Sequence, residues 1–145
     1  MELLSSLTKK FTEEEMLQML GGLLYSGENI ITSLYCIYKG TGFFASSSDI
    51  IAGYIALTDR NRLIGYKMGL INDSAISLDL GYLTKIKISN SLFGQKSIYI
   101  QVNDGKKSEL MLQVAPKIPG YKFPEQERNL EILLDELKAR QNLIE

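Results

Sequence analysis

The chain of 145 residues is long enough for one domain with a substantial core, and its 45% hydrophobic and 23% charged residues are typical of a globular protein. Its formal net charge of −1 gives no overall attraction to nucleic acid or anionic lipid. With no histidine and one cysteine, the sequence excludes a histidine general base, a Cys–His nucleophile, an intrachain disulfide and a Cys/His zinc site.

The first predicted element is an N-terminal helix. Thr12 is a favourable N-cap, and Glu15 stands three residues later, as in a capping box. We expect the helix over residues 12–24, within an N-terminal segment of residues 1–27 that precedes the main domain of residues 28–145. Apolar residues recur after the cap at helical spacing: Met16, Met19, Leu20, Leu23 and Leu24.

A series of short strands follows, rich in Ile, Tyr, Leu and Thr and separated by polar turns. Asp59-Arg60-Asn61 and Asn103-Asp104-Gly105 are typical of hairpin turns, because Asn, Asp and Gly tolerate positive φ. The pattern predicts one antiparallel sheet with a consistent inner face. The predicted strands cover residues 29–39, 51–57, 62–68, 76–80, 85–88, 98–102 and 110–114.

The last predicted element is an amphipathic helix. Pro116, Pro119 and Pro124 end the strands, and Pro124 suits the first position of a helix. Apolar residues then recur at i, i+3, i+4 and i+7: Leu130, Leu133, Leu134 and Leu137. We expect this stripe to cover the open end of the sheet.

Two motifs within the strands resemble a known family. Residues 53–64, Gly-Tyr-Ile-Ala-Leu-Thr-Asp-Arg-Asn-Arg-Leu-Ile, resemble a hairpin of bacterial PH-like and GRAM-like domains, and residues 76–78 leading into residues 83–86 resemble the strand pair that follows it. The resemblance covers roughly residues 28–140 and is closest to the bacterial YokE-type branch. It implies a mainly β fold: a PH-like antiparallel β-barrel of about seven strands capped by a C-terminal α-helix, with an extra N-terminal helix.

The loop between the first two strands departs from that family. Phosphoinositide-binding PH domains carry several Lys and Arg residues there, whereas residues 41–49 of this chain contain no basic residue and one aspartate. The resemblance therefore does not imply specific phosphoinositide binding.

Alternation along three strands predicts one candidate binding face. Its outward residues combine two lysines with an aromatic side chain and a methionine: Lys85, Lys87, Tyr99, Gln101, Met111 and Gln113. The competing interpretation is a solvated sheet face with lysines protecting a strand edge. Arg60 and Arg62 are placed near hairpin tips, where they are either contacts for an anionic surface or solvated turn residues.

We expect a non-catalytic interaction module that contacts a protein partner or a second copy of itself, with residues 12–24 as a candidate arm. The alternative is peripheral binding to a membrane surface or an anionic lipid headgroup through the basic strand face. We expect no enzyme activity, cofactor or bound metal, because the chain has no histidine and a single cysteine. We expect no nucleic-acid partner, because the net charge is −1 and Lys and Arg do not cluster with interleaved aromatic residues. The lone Cys36, expected to be buried, and the lack of an apolar run of roughly 18 residues favour a cytoplasmic protein.

Overall fold

The computed structural model describes residues 12–40, 50–69 and 72–144, so the loop of residues 41–49 lies outside the described part of the chain. A seven-stranded sheet forms its centre, and one helix packs on each face of that sheet. The elements in chain order are α1 (Glu13–Gly21), β1 (Ile30–Lys39), β2 (Ile51–Thr58), β3 (Arg62–Met68), β4 (Asp73–Asp79), β5 (Leu83–Asn90), β6 (Lys96–Asn103), β7 (Lys107–Val114) and α2 (Gln126–Ile144).

All neighbouring strands are antiparallel, in the order β4-β3-β2-β1-β7-β6-β5. The pairing of β1 with β7 joins a four-strand meander to a three-strand one. Among the described residues no ladder joins β4 to β5, so the sheet is open. It is nevertheless curled, because Ile76 of β4 and Ile88 of β5 pack against the same core cluster. The predicted mainly β layout of about seven strands is confirmed, but the sheet does not close.

The C-terminal helix covers the inner face of the curled sheet, as its leucine stripe predicts. Leu130, Leu133 and Leu137 are buried in the core cluster that lines this face. The Gln126 side chain ties the start of the helix to β1, because its Nε2 donates to the Tyr35 carbonyl oxygen (2.8 Å) and its Oε1 accepts from the Tyr35 N–H (3.1 Å).

The N-terminal helix packs on the outer face of β2 and β3. Thr12 caps it as predicted, accepting a hydrogen bond from the Glu15 N–H at 3.2 Å. Met16 and Leu20 are buried against Tyr54 and neighbouring apolar side chains. The interpretation of this helix as a free arm is therefore wrong, because its apolar stripe is used within the chain. No helix among residues 12–40, 50–69 and 72–144 combines the length and apolar content needed to cross a bilayer.

Two glycines make room for the buried Tyr38 on the inner face. A Cβ added at Gly65 would lie 2.1 Å from the Tyr38 hydroxyl oxygen, and one added at Gly53 would lie 2.6 Å from its Cε2. The hydroxyl donates to the Tyr54 carbonyl oxygen at 2.5 Å. These glycines therefore serve close packing at the junction of β1, β2 and β3.

Candidate functional site

The outer face of β5, β6 and β7 has neither helix packed on it, unlike the outer face of β2 and β3. Strand register places Lys87 opposite Tyr99 and Tyr99 opposite Met111, and β1 adds Lys39 opposite Met111. The four side chains form a row across four strands. We call this surface the β5–β7 face and define it by its outward residues: Lys39, Lys85, Lys87, Tyr99, Gln101, Glu109, Met111 and Gln113.

Polar contacts hold the Tyr99 ring in place within the β5–β7 face. Its hydroxyl donates to Glu109 Oε2 (2.9 Å) and accepts from Gln101 Nε2 (3.0 Å). Lys85 Nζ lies 5.9 Å from the ring centroid. Partial burial and the hydrogen bond to Glu109 raise the pKa of Tyr99, so the phenol stays neutral at physiological pH. A restrained aromatic side chain loses little conformational entropy when a partner packs on it.

The charge of the β5–β7 face is positive. Lys39, Lys85 and Lys87 stand against Glu109 alone, and Lys85 and Lys87 are both exposed. The structure therefore brings together all six residues of the predicted face, among them Lys85, Lys87, Tyr99 and Met111, whereas Arg60 and Arg62 lie elsewhere.

Arg62 does not belong to this face. It directly follows the turn of the β2–β3 hairpin, but the expectation that it is exposed there, to an anionic surface or to solvent, is wrong. The residue is 7% exposed, and its Nη1 lies 2.5 Å from Glu28 Oε1. Its guanidinium carbon also lies 3.7 Å from the centroid of the Tyr25 ring. The segment before β1 crosses over the start of β3 and covers Arg62, so this arginine stabilises the fold and is not available to a partner.

Glu28 is the buried partner of Arg62. Burial alone raises the pKa of a carboxyl group, but hydrogen bonds from the Thr58 hydroxyl (2.5 Å) and the Tyr25 N–H (2.8 Å), together with the Arg62 charge, outweigh it. The pKa of Glu28 is therefore lowered, and the pair is ionised at neutral pH.

Arg60 is exposed in the turn between β2 and β3. Its Nη2 lies 3.5 Å from the Ser26 carbonyl oxygen. That turn belongs to the four-strand half of the sheet, whereas Lys85 and Lys87 lie on the edge strand of the other half. Arg60 and the β5–β7 face are thus separate surfaces.

Two grooves were not predicted from the sequence, and one of them adjoins the β5–β7 face. Tyr35 of β1 stacks on Tyr121 with ring centroids 5.8 Å apart. One groove of about 530 Å³ is lined mainly by Pro116, Ile118, Tyr121, Phe123, Pro124 and Glu127. A second groove of about 310 Å³ is lined by Tyr35, Ile37, Ile50, Gln95, Gln113 and Ala115. Gln113 connects the second groove to the β5–β7 face. The first groove could have been predicted from the aromatic residues of the proline-rich segment before α2.

The turn between β5 and β6 presents two apolar side chains that sequence reasoning also missed. Leu92 is 75% exposed and Phe93 is 90% exposed. Phe93 has φ 61° and ψ 34°, in the left-handed region. The sequence does contain an indication of this exposure, because two adjacent apolar residues stand in a turn between alternating strands. We call Leu92 and Phe93 the apolar tip.

The described residues include neither a reactive cysteine nor a group of side chains suited to a metal ion. Cys36 is buried on the inner face, and burial raises its thiol pKa strongly. Among residues 12–40, 50–69 and 72–144, no three His, Cys, Asp or Glu side chains are grouped to hold a metal ion.

No protein family matches the chain, and no curated protein does. Two solved structures are similar in fold. One is the C-terminal domain of an unknown protein from Leishmania infantum, with 16% identity and a TM-score of 0.50 over 85% of this chain and 94% of that one. The other is the hSac2 domain from the human phosphoinositide phosphatase Sac2, with 14% identity and a TM-score of 0.53 over 92% of this chain and 86% of that one. At these identities the likeness shows the fold alone.

Proposed function

We propose that the chain is a non-catalytic, PH-like binding module whose β5–β7 face contacts a protein partner or a second copy of the chain. The observation that carries this proposal is the row of Lys87, Tyr99, Met111 and Lys39, on which neither helix of the described part of the chain packs. Tyrosine and methionine are enriched in protein interfaces, and charged residues suit the rim of such a contact. The adjoining groove, about 310 Å³, extends the surface available to a partner.

The chemistry of the chain supports a binding role without catalysis. It contains no histidine, and its one cysteine thiol is buried with a raised pKa. The fold likeness to the hSac2 domain agrees with the PH-like part of the proposal. Membership of the bacterial YokE-type branch also belongs to the proposal and rests on the sequence motifs. A cytoplasmic location belongs to it as well, and rests on the lone cysteine and the lack of a long apolar run.

Comparative enrichment tests this function. Wild-type protein, Met111→Glu and a control, Tyr82→Glu, are used as bait in lysate of the source organism, and captured proteins are quantified. Tyr82 is 51% exposed but lies in the turn between β4 and β5. We expect Met111→Glu to lose a protein that wild type and Tyr82→Glu both retain, or to abolish self-association in sedimentation equilibrium. Two results together would contradict the proposal: wild type is strictly monomeric, and Met111→Glu captures every protein that wild type captures.

A second candidate function is peripheral binding to an anionic membrane, favoured by the exposed Lys85 and Lys87. Each lysine close to an anionic surface contributes about 1 kcal/mol at low salt, and the attraction falls as salt screens it. Sedimentation with vesicles containing phosphatidylserine should therefore be lost in the variant Lys85→Glu/Lys87→Glu and weaken at physiological salt. Equal binding to neutral vesicles would contradict this second candidate.

A further inference from the structure

We propose that the apolar tip, Leu92 and Phe93, inserts into the interfacial layer of an anionic lipid bilayer, while lysines of the same hairpin contact the headgroups. The inference rests on the second candidate function and adds to it a different site and a different interaction, apolar insertion. The electrostatic face identified above does not include these two residues.

Both side chains of the apolar tip are strongly exposed. Leu92 and Phe93 are adjacent and project from the end of a two-stranded hairpin, with 75% and 90% of their surfaces exposed. Two adjacent apolar side chains that are both so strongly exposed form a surface that gains by leaving water. An exposed turn can enter a lipid layer, because the layer needs no preformed cavity to receive it.

The backbone of the apolar tip is strained. Phe93 has φ 61° and Gly94 has φ 77°, and the left-handed region is unfavourable for a bulky aromatic residue. Two backbone hydrogen bonds close the turn. The Ser91 N–H donates to the Gln95 carbonyl oxygen (2.8 Å), and the Gln95 N–H donates to the Leu92 carbonyl oxygen (3.2 Å). Because 90% of its surface is exposed, Phe93 buries little area against residues 12–40, 50–69 and 72–144, and strained residues of this kind concentrate at functional sites.

The positive charge of the β5–β6 hairpin indicates that the apolar tip meets an anionic bilayer. From residue 83 to residue 103 the hairpin carries Lys85, Lys87 and Lys96 and no acidic residue. Lys96 lies beside the tip and donates to Asn90 Oδ1. Apolar residues flanked by lysines are the combination that binds the interface of anionic membranes, where cations meet headgroups and apolar side chains reach the acyl boundary.

Fluorescence provides a direct test, because the chain contains no tryptophan. Phe93→Trp places a single reporter at the tip, and Leu143→Trp places a matched control at another exposed position, since Leu143 is 85% exposed near the end of α2. Each variant is mixed with vesicles of phosphatidylcholine, with and without phosphatidylserine and with and without brominated acyl chains. We expect the emission of Phe93→Trp to shift to the blue and to be quenched by bromine only with anionic vesicles, while the emission of Leu143→Trp stays unchanged.

The serine variant Phe93→Ser gives a second measurement, with folding checked by circular dichroism. Burying a phenylalanine side chain stabilises binding enough that we expect the partition coefficient of this variant to fall at least about tenfold. If wild type sediments with anionic vesicles but the emission of Phe93→Trp does not shift, or Phe93→Ser binds as wild type, the insertion is wrong and the electrostatic membrane function stands. If no variant sediments with any vesicle, both are wrong, and the apolar tip would instead fit a pocket on a protein.

Discussion

Replacing Arg62 with methionine should destabilise the protein strongly. The substitution keeps most of the apolar side chain but leaves the Glu28 carboxylate buried without its counter-ion, and it removes the cation–π contact with Tyr25. Breaking a buried ion pair from one side costs about 3–5 kcal/mol. We expect the lower end, about 3 kcal/mol, because Glu28 keeps its hydrogen bonds from Thr58 and Tyr25.

Urea unfolding followed by circular dichroism measures this loss, and a thermal melt should show the melting temperature lowered by roughly 10 °C for a chain of this size. Arg60→Met is the matched control, since that arginine is exposed in the neighbouring turn and should change stability by less than about 0.5 kcal/mol. The double variant Glu28→Gln/Arg62→Met should recover part of the loss, because no unpaired charge then remains. A loss below about 1 kcal/mol in Arg62→Met would refute the structural role assigned to Arg62.

Three further predictions concern the core. Because the folded-state pKa of Glu28 is lowered, its contribution to stability is present above its unfolded value of about 4.3 and is lost as pH falls through the folded value; urea melts across acidic pH should show this slope in wild type and a flatter one in Glu28→Gln. Gly65→Ala should cost about 1–3 kcal/mol in the same melts, because the new Cβ would meet the Tyr38 hydroxyl at 2.1 Å; an unchanged midpoint would contradict that packing. The Cys36 thiol should react with a thiol reagent only in denaturant, because it is buried and its pKa is raised, and rapid reaction of the native protein would contradict its burial.

The sequence predicted most of the sheet because side chains alternate along its second half. Lys85 and Lys87 had to point outward once Ile86 and Ile88 pointed in, and the Asn103-Asp104-Gly105 turn set the register of β6 against β7. The position of Met111 beside Tyr99 follows from that register.

Long-range pairings could not be predicted in this way. Glu28 and Arg62 are 34 residues apart, and nothing in the local pattern of either reveals the other. Lys39 joins the β5–β7 face only because β1 pairs with β7, which no turn chemistry specifies. The continuous apolar run of β2 indicates that both of its faces are buried, but it does not show that the N-terminal helix is the element that covers the outer face.

Site-specific photo-crosslinking in cells tests the binding face most directly. A photoreactive phenylalanine analogue replaces Tyr99 in one variant and Tyr82 in the control, and crosslinked products are identified by mass spectrometry. The account predicts a discrete protein adduct, to a partner or a second copy of the chain, from position 99 and none from position 82. Equal crosslinking at both positions, or crosslinking from position 82 alone, would contradict the assignment of the β5–β7 face as the binding surface.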